Sequence, residues 1–328
     1  MRRSMMDLSE MTSRRPDERV PAGASVAGAG TEPVCVLLRG LGRDARHWGD
    51  FPARLSRAWP GERPLLLRPD LPGNGRAHLQ TSASRVEDMV EPLREQVRAQ
   101  LGAAGLSGRP LHLLAMSLGA MVAIAWAQRH PDELAGMVLI NTSVRPLNPF
   151  WQRLQPRAWP VLLRSQLGLM SLPEREAAIL ALTSRIAADS PGVKALLDDW
   201  VGWQQAWPVR HSNALRQLLA AARFHAPEQA PPVPLLLLAG AGDRLVDPVC
   251  SRRLARAWQV PLLEHPQAGH DLPLDDPDWV AQQASLFFRS RADSFHDVSA
   301  CPPDRIRVAS LVLREGSDRD LHAERSQT

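Results

Sequence analysis

The feature that most limits the fold is a series of short apolar runs: Val34 to Leu38, Leu65 to Leu67, Leu111 to Ala115, Met137 to Ile140 and Leu235 to Ala239, with a last short run at Leu262 to Glu264. None shows the apolar–polar alternation of a half-exposed strand. A strand without it is covered on both faces, as in a parallel sheet with helices on each side. Helical spacings lie between the runs. Trp48, Phe51, Leu55 and Ala58 form one face, and Val86, Val90, Leu93, Val97 and Leu101 another. Leu118 to Gln128, Val249 to Trp258 and Asp278 to Phe288 read as further helices. Ser84-x-x-Glu87 predicts a capping box, and Pro92 a kink in the helix that follows. The expected class is α/β, a mostly parallel sheet flanked by helices.

One stretch breaks the alternation. Residues 143–227 hold no convincing strand but carry Trp151, Trp159, Trp200, Trp203 and Trp207. They read as a helical cap inserted between two strands, over the carboxyl ends where such sheets bind ligands. The expected core is then 33–142 with 228–290. Residues 1–32 and 291–328 read as polar, disordered extensions, with one short element conceivable at Ile306, Val308 and Leu311 to Leu313. The 328 residues thus hold one catalytic domain rather than two.

Composition removes several function classes. Hydrophobic residues make up 44% and charged residues 23%, which excludes a mostly disordered chain. Net charge is +4, and Lys194 is the sole lysine among 39 basic residues. The arginines are scattered among acids and prolines instead of forming the stripe of a nucleic-acid binder. Three cysteines, with no Cys-x-x-Cys, supply neither a disulfide framework nor a zinc site. His47 and His78 lack a second ligand at metal spacing, and no phosphate-binding or dinucleotide loop is present. No cofactor and no metal are therefore expected. No run reaches the ~18 to 20 apolar residues of a membrane span, and the N-terminus lacks the apolar centre of a signal peptide. A cytoplasmic location is the expectation.

The sharpest local signal is Leu113-Leu114-Ala115-Met116-Ser117-Leu118-Gly119-Ala120. A strand runs into a serine and a helix follows at once. Such a corner strains the serine backbone, leaves its hydroxyl exposed and admits only small residues two positions away on either side. The Leu118 amide then lies at a helix start, where anions are stabilised. On the octapeptide alone, an ordinary strand–helix turn stays open. A serine also needs a base, and the base an orienting acid. Asp243 follows the run Leu235 to Ala239, and His270 sits in Gln267-Ala268-Gly269-His270-Asp271, before the last helix. Asp247 competes with Asp243, but Pro248 after it reads as a helix start. The order Ser, Asp, His, each at a strand-end loop, favours a catalytic triad over three unrelated loop residues.

With these motifs the sequence resembles the α/β-hydrolase superfamily over about residues 33–290. Within it, the Ser-Leu-Gly elbow and helical cap look most like small carboxylesterases related to pimeloyl-[acyl-carrier protein] methyl ester esterase. In that superfamily the first catalytic-side loop is usually His-Gly. Here it is Arg39-Gly40-Leu41-Gly42, which gives Leu41 the position of the second oxyanion-hole amide. Asp70-Leu71-Pro72-Gly73-Asn74-Gly75 matches the loop after the second parallel strand. Ala115 stands where the elbow usually has glycine, and the opening antiparallel hairpin is missing, so about six strands are expected.

The resemblance implies hydrolysis of a small-molecule acyl ester through an acyl-serine. His270 takes the proton of Ser117, Asp243 orients His270, and the Leu41 and Leu118 amides hold the oxyanion. Neutral His270 is required, so activity should rise with pH around ~6.5, and a flat rate between about pH 5 and 8 would oppose that role. A cofactor-free perhydrolase or a thioesterase uses the same triad. A non-catalytic, hydrolase-like binding protein is the rival from another class, kept alive by Arg39. Asn141, at a strand end, either borders the pocket or caps a turn. The cap tryptophans read first as core and roof packing, and second, for some of them, as lining of an acyl pocket. The cap arginines Arg145, Arg153, Arg157, Arg210, Arg216 and Arg223 read first as a solvated face, and second as a dock for an acyl carrier protein.

Overall fold

A computed structural model describes residues 32–296, with side chains as far as Arg289. The expectations for residues 1–31 and for 297–328, including Ile306 to Leu313, lie outside the described residues.

Six strands form one all-parallel sheet: β1 (Val34–Leu38), β2 (Leu65–Leu67), β3 (Leu111–Met116), β4 (Leu134–Ile140), β5 (Leu235–Gly240) and β6 (Leu262–His265). Every apolar run became a strand, and six strands are what a missing hairpin leaves among the described residues. The order is β2-β1-β3-β4-β5-β6. Val34 pairs with Leu65 on one side and Leu111 on the other. Both faces are covered. Val34, Val36 and Leu38 enter one apolar layer, and Cys35 and Leu37 the opposite one.

The first layer is closed by α2 (Val90–Ala103), α3 (Leu118–Arg129) and α9 (Val249–Trp258). The second is closed by α1 (Phe51–Ala58) and by α11 (Pro277–His296), which follows the single turn α10 (Leu272–Asp275). Val86, Val90, Leu93, Val97 and Leu101 are all buried, as their spacing demands. Because β1 and β3 are neighbours while the chain visits β2 between them, their carboxyl-end loops diverge. That divergence opens a crevice at the reversal of strand order, where open α/β sheets hold ligands.

Between β4 and β5 the chain forms a helical roof: α4 (Phe150–Arg153), α5 (Trp159–Gln166), α6 (Leu172–Thr183), α7 (Val193–Ala206) and α8 (His211–Arg223). Its own small core holds Leu180, Val193 and Trp200.

Three expectations need correction. The Ser84–Glu87 capping box does not form, since a 3-10 turn begins only at Glu87 without a side-chain cap. Upstream, Ser82 is already tied to Asn213 and to the Pro72 carbonyl, which holds the chain out of the helix. Pro92 causes no kink because it lies in the first turn of α2, where an amide has no intrahelical partner to lose. Of the cap tryptophans, Trp200 is packed in the roof as expected and Trp151 lines the cavity, but Trp151 and Trp159 are also exposed, against the packing expectation.

Candidate active site

The elbow comes from a steric conflict. β3 runs directly into α3 through Ser117, whose φ of 54° and ψ of −119° lie in a region that costs a non-glycine residue of order 1–3 kcal/mol. The surroundings hold it there. The Ser117 amide donates to the Ile140 carbonyl (2.9 Å), and Thr142 Oγ1 donates to the Ser117 carbonyl (3.2 Å). Close approach falls on the far side of the serine. A Cβ on Gly119 would lie 2.5 Å from the Arg39 carbonyl oxygen and 2.6 Å from that of Leu38. Ala115, two residues before the serine, is accommodated with its side chain fully buried. The departure from Gly at that position is therefore harmless.

His270 and Asp243 meet 27 residues apart in sequence. His270 Nδ1 lies 2.7 Å from Asp243 Oδ2, and both side chains are buried. Asp243 Oδ1 accepts from the amides of Leu245 (2.8 Å) and Val246 (2.9 Å), which fix the carboxylate plane. The competitor Asp247 instead accepts from the Val249 amide at the start of α9 and does not reach His270.

Ser117, His270, Gly40, Leu41 and Leu118 all line one cavity of about 920 Å³ under the roof. Asp243 sits behind His270, away from that wall. A Cβ on Gly40 would come 3.1 Å from Ser117 Cβ, so the loop after β1 passes directly against the Ser117 corner. The amides of Leu41 and Leu118 donate to no protein acceptor among the described residues. The loop is braced from two sides. Gly42 donates to Gln217 Oε1 on α8 (2.9 Å), and Asn74 Nδ2 donates to the Arg43 carbonyl (2.9 Å). Gln217 also donates to Asn74 Oδ1 (2.7 Å), closing the brace.

Arg39 has a partner that the sequence did not reveal. Its Nη1 and Nη2 donate to the two carboxylate oxygens of Asp271 at 3.1 and 2.6 Å, and its guanidinium lies 4.8 Å from the Trp48 ring centroid. Both members of the pair are buried. Burial alone would raise the Asp271 carboxyl, but the charge and hydrogen bonds of Arg39 outweigh it and hold the carboxyl below its ordinary value. The arginine that replaces the usual histidine thus ties the loop after β1 to the residue next to His270. Asn141 adds a second tie. At a φ of 47°, its Nδ2 donates to the Gly269 (3.0 Å) and His270 (2.8 Å) carbonyls, and its Oδ1 accepts from the Gly240 amide (2.9 Å). Asn141 neither caps a turn nor merely borders the cavity; it fastens the histidine loop to the end of β5.

Sequence reasoning missed Asp271, Asn141 in this role, and Gln217. The adjacency of Asp271 to His270 and the unusual Arg39 were the only local signals. His47 is held neutral, pushed down to about 4 by burial and by Arg43, with Asp44 opposing. No group of three or more candidate metal ligands exists among the described residues.

A parallel sheet with a serine elbow, a strand-end acid paired to a loop histidine, and a helical roof define an α/β-hydrolase. The model of the alpha/beta hydrolase family matches residues 35–283, and the chain belongs to that family. Pimeloyl-[acyl-carrier protein] methyl ester esterase of Aeromonas hydrophila subsp. hydrophila is 30% identical over 258 residues, covering 74% of this chain and 94% of that protein. The putative carbamate hydrolase RutD of Pseudomonas savastanoi pv. phaseolicola is 28% identical over 254 residues, 75% and 89% of the two chains. The biotin biosynthesis bifunctional protein BioHC of Teredinibacter turnerae is 34% identical over 110 residues, 34% of this chain but only 17% of that protein. Among solved structures, a thermophilic esterase from Thermogutta terrifontis superposes with a TM-score of 0.61 at 22% identity, covering 80% of this chain and 91% of that one.

Proposed function

We propose that the protein is a serine hydrolase that cleaves carboxylic esters through an acyl-serine. The observation that carries this reading is the strained Ser117 facing the same cavity as His270, with His270 held at 2.7 Å by Asp243. In the first half-reaction His270 Nε2 accepts the hydroxyl proton as Ser117 Oγ bonds to the acyl carbon. The Leu41 and Leu118 amides receive the oxyanion, each contribution being typically ~10²–10³ in rate. The carbon–oxygen bond to the alcohol breaks, and the leaving alkoxide takes the proton from His270. In the second half, water attacks the acyl carbon, its proton passes through His270 to Ser117, and the acid leaves.

The relatives are named for different substrates, a methyl ester in one and a carbamate in the other. Each begins with attack on a carbonyl carbon and is open to the same triad, as are the thioesterase and perhydrolase readings. Against the non-catalytic reading stands the Arg39–Asp271 pair, which supplies a structural partner for the one residue that looked foreign to the site. A cytoplasmic setting fits a chain in which Cys35 and Cys250 are both free and buried. No helix among the described residues is long and apolar enough to cross a membrane. As a dock for an acyl carrier protein, the six cap arginines lose two members. Arg153 donates to the Ala221 and Ala222 carbonyls, and Arg216 to that of Ser82 (2.8 Å).

A fluorophosphonate probe tests the reading. Wild-type protein should label and hydrolyse short esters, while Ser117→Ala should do neither at unchanged melting temperature. Absent labelling of folded wild type would leave the binding-protein reading standing.

A further inference from the structure

The roof has an outer surface that the ester chemistry does not use. Phe150, Trp151, Trp159, Leu163, Leu167 and Leu169 are between 41% and 65% exposed, on α4, on α5 and just after it. Trp159, Leu163 and Leu167 are spaced four residues apart, so they share one side of the helix. Phe150 joins them by stacking on Trp159, with ring centroids 5.8 Å apart, and packs edge-on against Trp151 at 5.2 Å. The Trp159 indole N–H is already used, donating to the Leu154 carbonyl (3.0 Å), so its exposed surface is apolar ring. On the other side, Leu162, Ser165 and Gln166 of the same helix line the cavity. Phe150 and Trp151 do both, exposed outside and lining within.

Charge on this surface is one-sided. From Leu134 to Pro173 the chain holds no Asp or Glu, yet it holds Arg145, Arg153, Arg157 and Arg164. Arg145, Arg157 and Arg164 are exposed, and no ion pair engages them among the described residues. The carboxylate within reach of Arg164 is Glu174, which accepts from the Ser171 amide and hydroxyl. Exposed Trp, Phe and Leu with several arginines and only Glu174 as a neighbouring acid is a composition suited to a lipid–water interface and drawn to anionic lipid. Clustered apolar side chains of this size need a partner on a water-soluble protein.

We propose that the α4–α5 segment docks on an anionic lipid surface, and that the esters the cavity takes are amphiphiles delivered from that surface past Phe150 and Trp151. The substrate half rests on the serine-hydrolase reading; the docking half does not. A cavity of about 920 Å³ that shares its wall with the exposed face gives an acyl chain a path with no excursion through water.

The test uses full-length protein and flotation with vesicles of phosphatidylglycerol and phosphatidylcholine in equal parts, against phosphatidylcholine alone. Wild type should float with the anionic vesicles and be released by high salt, since surface charge is screened. Ser117→Ala should float as well as wild type, which separates docking from catalysis. Leu163→Glu with Leu167→Glu, and separately Arg157→Glu with Arg164→Glu, should each lose about tenfold or more in bound fraction. Neither pair lines the cavity, so both variants should keep their labelling and their rate on a soluble butyrate ester, while losing rate on a vesicle-borne long-chain ester. Wild type remaining at the bottom of the gradient overturns the proposal. So does unchanged flotation of the leucine variant. A concentration-dependent dimer that the leucine variant dissolves, without vesicle binding, assigns the face to a second copy instead. Retention on an immobilised acidic carrier protein without vesicle binding assigns it to that protein.

Discussion

The sheet and the roof solve different problems with the same chain. Nearly every residue of β1, β3, β4 and β5 is buried, and each loop at their carboxyl ends is fastened by side chains from elsewhere. Ser117, Asp243 and His270 stand on those ends. In the roof, α4 and α5 bury no residue completely. The cavity also meets a polar side chain there: Asn148 is buried, and among the described residues neither its Nδ2 nor its Oδ1 has a partner. The groups assigned to bond-breaking are over-determined, and the groups that would select a substrate are left loose. Geometry that must be held within fractions of an ångström needs rigid support. Recognition tolerates variation.

The largest effect should come from the sheet side. Asp243→Asn keeps the volume and two backbone hydrogen bonds to one oxygen, but it cannot hold His270 in the required tautomer. The rate on a soluble ester should fall by about 10⁴, with little change in melting temperature. A fall of less than about tenfold would show that the His270–Asp243 contact is only structural, and the contrast between sheet and roof would lose its basis.

The Arg39–Asp271 pair is next. Removing one member leaves a buried charge without its partner, which typically costs ~3–5 kcal/mol. Arg39→Ala should therefore unfold at markedly lower denaturant than wild type. Arg39→Ala with Asp271→Ala should recover part of that loss, because no charge is left stranded. A double variant as unstable as the sum of the two singles would mean that the residues do not act as a pair. Catalytic rate adds a second readout, since the pair joins the loop after β1 to the histidine loop.

Much of this support was invisible in the sequence, for a physical reason. The strands were legible because burial on both faces erases alternation, a property of each segment alone. Ser117, Asp243 and His270 could be singled out as candidates because each follows such a segment. Arg39 and Asp271 lie 232 residues apart and meet only once β1 and the histidine loop share an end of the sheet. Gln217 braces Gly42 across 175 residues, from a roof helix whose sequence says nothing of the loop below. The misread box at Ser84 is the same lesson in reverse. A correct local signal lost to contacts made by Ser82 with Asn213, 131 residues away. Exposure of Trp151 and Trp159 was equally unreadable, because tryptophan in a helical segment signals burial wherever a core is available.

On the roof side, Asn148→Leu should raise stability by ~1–3 kcal/mol, the range of an unsatisfied buried polar group. It should also shift KM among ester substrates more than kcat. A drop in stability would show that the Asn148 amide is satisfied in solution, and the roof would then be as tightly specified as the sheet.

The smallest effect separates the two regions by pH. Glu133, between α3 and β4, accepts from Arg94 (3.0 Å from Nε), from Arg98 (3.1 Å) and from the Trp126 indole (2.9 Å). Burial opposes ionisation, but these partners prevail and pull the carboxyl down to about 2. A carboxyl depressed in the folded state adds stability above its unfolded pKa, and that stability drains away as pH falls through the folded value. The contribution should therefore be whole at neutral pH, fade from roughly 4.5 downward and be gone near 2. Glu133 is partly exposed, so solvent screening keeps it small, of the order of other surface pairs. Glu133→Gln should melt slightly below wild type at pH 7 and level with it at pH 2. A gap that persists unchanged at pH 2 would assign the difference to packing on Trp126 rather than to charge. The roof offers a control: Lys194–Asp198 on α7 is an exposed pair, and Asp198→Asn should leave the melting temperature almost unmoved at every pH.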